Sequence, residues 1–163
     1  MKYEPTHLTN KSGHNAGGLC SFNFVPRQWI DTDAVISESD NIISTAPTLI
    51  AGKQWLTARC LQDTLSFTET PETGAAGTSY NQVINGVLLG DSADNNTLLN
   101  VLAFCELVVV IETRNGNKKL IGNKENGMMF RSQFATDAQF AGKEAYTITL
   151  AFSSQEKAPQ YTL

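Results

Sequence analysis

Charge is scarce in this chain. Asp, Glu, Lys and Arg make up 17% of its 163 residues against 41% apolar residues, and the formal net charge is −4. No lysine or arginine cluster occurs, so the concentrated positive face that grips nucleic acid backbones is missing. Histidine appears only as His7 and His14, both within a polar first segment. A nucleophilic triad needs an imidazole held in place, and there is no G-x-S-x-G, so no catalytic residue is assigned and no enzyme is expected. The three cysteines, Cys20, Cys60 and Cys105, each lie in an apolar run and form no C-x-x-C. That excludes a disulfide framework and a zinc site and predicts buried free thiols in a reducing compartment. Long apolar runs are absent too. The longest, Leu98 to Ile111, is broken by Asn100 and Glu106, and the first residues lack the apolar centre of a signal peptide. No membrane partner, metal or cofactor is expected.

What the chain does have is alternation. In "LCSFNFV", Cys20, Phe22 and Phe24 point one way and Leu19, Ser21 and Asn23 the other, the period of a half-buried strand. "KQWLTARCL" and "TLSFTET" are strand-like runs joined through Gln62-Asp63, which predicts a tight connection. "PETGAAG", Pro71 to Gly77, reads as a flexible loop before "TSYNQVINGVLLG" resumes extended chain. One helix is predicted after an N-cap at Asp94, Asn95 or Asn96, with Leu98, Leu99, Leu102 and Cys105 on one face. "MMFRSQF" and "EAYTITLAF" then alternate strongly, placing Met128, Phe130 and Phe134, and Tyr146, Ile148, Leu150 and Phe152, toward a core. Residues 27–52 admit turns, a short helix or a long excursion. The predicted organisation is an N-terminal arm (1–16), one domain (17–155) and a C-terminal tail (156–163). Its fold class is mainly β, an antiparallel β-sandwich or barrel with one short α-helix near the middle of the chain.

"VVVIETRNGNKKLIGN" predicts a hairpin turn at Asn115-Gly116, because a two-residue type I′ turn needs positive φ at both positions. Thr113 would then face Lys118, Glu112 Lys119, Ile111 Leu120 and Val110 Ile121, so apolar meets apolar and acid meets base. Lys118 and Lys119 lack the spacing of a phosphate-binding loop and no helix follows them. The acidic pairs Asp31/Asp33 and Asp91/Asp94 read as solvated loop and helix cap, with a calcium or magnesium site as the alternative. The aromatics Phe22, Phe24, Phe130, Phe134, Tyr146 and Phe152 sit at core positions rather than on a base-stacking face. Trp29 and Trp55 are the candidates for a sugar-binding surface.

The order of elements resembles the tail tube proteins of bacteriophages and the related Hcp ring protein of type VI secretion. The likeness runs over residues 18–153: several strands, the "PETGAAG" loop, a further strand, a helix at Asn95–Phe104 and a run of antiparallel strands. It implies a virion structural protein, made in the host cytoplasm and built into the tail. The subunit would be a homo-oligomer, a hexameric ring stacking into a tube, with other tail proteins as partners and DNA as passing cargo. Strand edges would pair between subunits, and Glu69, Thr70, Pro71, Glu72, Thr73, Gly74 and Gly77 would form an interface. A tail terminator or completion protein is the near alternative. From other classes come a carbohydrate- or ligand-binding β-sandwich and an enzyme assembled from Asp31, Asp33, Asp91 and Asp94.

Overall fold

The computed structural model describes residues 18–138 and 144–162. The chain opens with β1 (Leu19–Pro26) and one turn of 3-10 helix (Arg27–Trp29). Four short strands follow: β2 (Ile30–Thr32), β3 (Val35–Ile36), β4 (Ile43–Thr45) and β5 (Thr48–Leu49). Next come β6 (Leu56–Arg59), β7 (Ser66–Gly74) and β8 (Gly77–Leu89), then the helix α1 (Ala93–Leu102). The last strands are β9 (Glu106–Thr113), β10 (Lys118–Ile121), β11 (Met128–Thr136) and β12 (Glu144–Ser154). All named strands pair antiparallel. The fold is mainly β with one short helix, as the alternation in the sequence predicts.

The main sheet runs β6-β1-β9-β11-β12-β8-β7, with β10 also on β9. The connection between β6 and β7 is short, as expected, but the two strands do not pair. They are instead the two ends of the sheet, joined by only the six residues between Arg59 and Ser66. Seven strands laid flat would hold those ends about 29 Å apart at about 4.8 Å per gap, and the connector reaches at most about 25 Å. The sheet therefore curls. Leu61 N–H donates to Val87 O at 2.7 Å and Leu19 N–H to Leu65 O at 3.3 Å, tying one end to the other. Gly86 makes room for this seam: a Cβ there would lie 2.8 Å from Cys60 Sγ and 2.9 Å from Leu65 Cδ1.

Two apolar clusters result, and β9 divides them. Its Leu107, Val109 and Ile111 point into the curl with Phe22, Phe24, Ile84, Phe130 and Leu150. Val108 and Val110 point outward and meet Val25, Ile30, Ile43 and Leu120. A strand buried on both faces needs an unbroken apolar run, which is what "LVVVI" supplies. The outer cover comes from the 27–52 segment, a nested pair of hairpins (β3–β4 inside β2–β5), together with residues 156–162. Those last residues belong to the domain and are no free tail. Ala158 is buried, Tyr161 N–H donates to Lys118 O at 2.9 Å, and Ile43 N–H donates to Gln160 O at 2.9 Å.

Two local expectations shift by a residue or so. A register shift in β1 between Leu19 and Phe22 turns Leu19 inward beside Phe22 and Phe24, although strict alternation puts it on the opposite face. The helix cap is Ser92, whose Oγ accepts from Asn95 N–H at 3.2 Å, and Asp94 falls in the first turn. Leu99 and Leu102 are the buried residues of α1, while Leu98 is half exposed and Cys105 half-buried beyond the helix end.

Among the described residues Cys60 and Cys105 are free thiols. Burial pushes the Cys60 thiol from its ordinary 9.0 up to about 11. The folded state thus holds the thiol proton more tightly than the unfolded chain. The resulting stability is complete below pH 9 and is lost as pH rises from about 9 to 11. Denaturant titrations over that window are expected to show a steeper decline for the wild type than for Cys60→Ala; parallel declines would refute it.

Candidate functional site

β7 and β8 form the longest hairpin, and "PETGAAG" is part of it rather than a flexible loop. Pairing continues from Ser66↔Asn85 without a break to Gly74↔Gly77, leaving only Ala75-Ala76 as the turn. Gly77 has φ +116°, a conformation that side-chain-bearing residues rarely adopt. Every residue from Thr70 to Thr78 is exposed, and β7 is the terminal strand of the sheet path. An exposed edge strand offers unpaired main-chain groups to another chain. Thr70, Pro71, Glu72, Thr73, Gly74 and Gly77 therefore sit together on one projecting ladder.

Glu69 does not belong with them. Its side chain is mostly covered, at 13% exposure, and points back into the molecule. Oε2 accepts from Ala158 N–H at 2.7 Å and from Gln82 Nε2 at 3.1 Å, and Oε1 lies 3.5 Å from Lys119 Nζ. Gln82 is itself buried and donates also to Glu156 O at 3.3 Å. The carboxylate thus joins β7, β8, β10 and the C-terminal segment. No sequence pattern marks it, because its partners lie 13, 50 and 89 residues away.

The Asn115-Gly116 turn lies between β9 and β10 in a different register from the expected one. Lys118 faces Glu112 and Lys119 faces Ile111, one residue from the expected pairs. Thr113 N–H donates to Asn117 O at 2.9 Å and Gly116 N–H to Thr113 O at 2.8 Å, so Arg114-Asn115-Gly116 is a three-residue loop. Only Gly116, at φ +79°, takes positive φ there. This is the type I turn with a glycine bulge, the common alternative to the type I′ turn. The tertiary structure selects it because Lys119 then reaches Glu69 while Leu120 joins the outer core.

The acidic candidates are dispersed. Asp33 Oδ1 accepts from Lys124 N–H at 2.7 Å, and Asp31 O accepts from Lys124 Nζ at 2.9 Å. Asp91 Oδ1 accepts from the Tyr146 hydroxyl at 2.7 Å, and that bond pushes the phenol above its ordinary range. Among the described residues no three His, Cys, Asp or Glu come together as metal ligands. Both histidines and the Cys20 side chain lie outside what the structure describes. Searches of family models, curated proteins and solved structures return no match to this chain. Trp29 and Trp55 pack half-buried against the outer core, with Lys53 Nζ 4.6 Å above the Trp29 ring centre, so they form no open platform. No helix of the described residues is long and apolar enough to cross a membrane.

Proposed function

We propose that this protein is a non-enzymatic structural subunit of a bacteriophage tail, of the tail tube type. It assembles into hexameric rings that stack, joins other tail proteins and passes DNA without gripping it. The observation that carries this reading is the projecting β7–β8 ladder, exposed from Thr70 to Thr78 and ending a curled sheet. Its main-chain edge is suited to a neighbouring subunit, and a net charge of −4 per chain suits a conduit that repels phosphate. A terminator or completion protein built on the same surface would close single rings without stacking.

Size-exclusion chromatography with light scattering, followed by negative-stain microscopy, tests the reading. Rings or tubes are expected from the full chain, and a monomer at high concentration would overturn it. Replacing residues 72–79 by Asn-Gly shortens the hairpin while keeping Glu69 opposite Gln82. That variant is expected to melt within a few degrees of the wild type and to lose assembly.

One observation favours a second reading, a ligand-binding module. An open groove of about 820 Å³ lies along β11 and β12, with Arg131, Thr149, Gln155 and Glu106 among its walls. Amide shifts of Arg131 and Thr149 on titration with oligosaccharides would support that module over the tube subunit.

A further inference from the structure

β6 ends the sheet path opposite β7, and its surroundings are of a different kind. One side pairs with β1 from Ser21↔Arg59 to Phe24↔Leu56. Among the described residues no strand runs along the other side. There a cavity of about 220 Å³ separates β6 from α1 and the end of β8. Thr57, Ala58 and Arg59 all line it. Consecutive strand residues point to opposite faces, so a space that meets all three runs along the strand's edge. Phe22 and Phe24 supply its apolar floor, and Leu98, Leu99 and Leu102 of α1 its far wall.

We propose that this slot docks an extended segment of another polypeptide chain, added as a strand to the β6 edge. Its apolar side chains alternate against α1, and an acidic residue lies beside Arg59. Strand addition needs a free edge for main-chain hydrogen bonds and apolar pockets for alternate side chains. Both are present in one place. A cavity of about 150 Å³ holds a benzene molecule, so this one has space for more than one aliphatic side chain. Leu61 N–H bonded to Val87 O closes the slot just beyond β6, which limits the added strand to about the length of Leu56–Arg59. Arg59 is exposed and has no hydrogen-bond or ion-pair partner among the described residues, and that favours an acid over a neutral end. The docking goes beyond the tail reading and holds for a monomer as for a ring.

The test uses the full chain, labelled with ¹⁵N, and the peptide acetyl-Glu-Val-Thr-Val-Thr-Val-amide. Saturable binding is expected, with shifts in α1 and slowed amide exchange at alternate residues of β6. A control with proline in place of both threonines loses strand donors and is expected not to bind. Arg59→Gln should weaken binding about fivefold, as for an exposed ion pair, and Leu98→Asp should abolish it. Both side chains are exposed, Leu98 at 45%, so the variants are expected to fold. No saturable binding at millimolar peptide would overturn the proposal. So would amides protected before peptide is added, which means the chain fills its own slot. Octanoate binding as well as the peptide, without amide protection, would make the slot a pocket for small amphiphiles and equally overturn it.

Discussion

Glu69→Ala is expected to lose about 3 kcal/mol of stability, because its carboxylate holds two covered donors. Two hydrogen bonds to a carboxylate are each worth about 1.5–3 kcal/mol, and both donors, Ala158 N–H and Gln82 Nε2, are covered by the fold. The Lys119 contact adds little, since the lysine is 32% exposed and water replaces the lost partner. The loss should appear as a lower urea midpoint at unchanged slope. Hydrogen exchange should quicken first at Ala158 and Tyr161, where the C-terminal segment is released. Glu72→Ala, three residues along the same strand but exposed, should change stability by less than about 0.5 kcal/mol. Equal effects at the two positions would refute the inward role of Glu69. They would also restore it as a candidate for contact between subunits.

Gly127→Ala is expected to cost about 3 kcal/mol for a different reason. Along one edge β9 pairs with β11 at Glu106 and Leu107, then with β10 from Val109 onward. The chain between, residues 122–127, must leave β10, turn and return against the same strand. Arg27 secures that turn with bonds to Lys124 O at 3.3 Å and Glu125 O at 3.2 Å, and pairs with Glu106 at 2.6 Å. Gly127 comes so close to β9 that a Cβ would lie 2.9 Å from Leu107 N and 3.0 Å from Glu106 C. Those are main-chain atoms, which cannot swing aside as side-chain ends do. Overpacking costs about 1–3 kcal/mol, and backbone contact puts this case at the upper end. Calorimetry and faster exchange at the amides of Met128 and Met129 would report it; a variant within about 0.5 kcal/mol of the wild type would sink the idea.

The same substitution bears on function. Glu106, Gly127 and Met129 all border the open groove beside β11. Loosening that junction should widen the groove and leave the β7–β8 ladder intact. If Gly127→Ala still assembles, the ladder and the groove are independent surfaces, as the tail reading requires.

Local pattern made much of this fold legible. Tyr146, Ile148 and Leu150 alternate with Thr147 and Thr149, and the structure buries the first set. Side-chain direction in a regular strand follows from its own backbone, so period two holds there and breaks only at an irregularity such as the one beside Leu19. The helix was readable for the same reason, from Leu99 and Leu102 a turn apart on one face, although its cap is Ser92 and not Asp94, Asn95 or Asn96. Partnership was not readable. β6 and β7 are close in sequence yet end the sheet on opposite sides, because β6 pairs with the distant β1 while β7 pairs with β8, and the curl brings their ends together. The hairpin at Asn115-Gly116 shows the limit most sharply. Two turns of similar local merit differ by one residue, and the observed one places Leu120 in the outer core and Lys119 beside Glu69, 50 residues away. The sequence by itself determined strand periods, the single helix and the mainly β class, all properties of near neighbours along the chain. Only the tertiary structure decided register, the inward turn of Glu69 and the place of residues 156–162, because those depend on contacts that exist once distant segments meet.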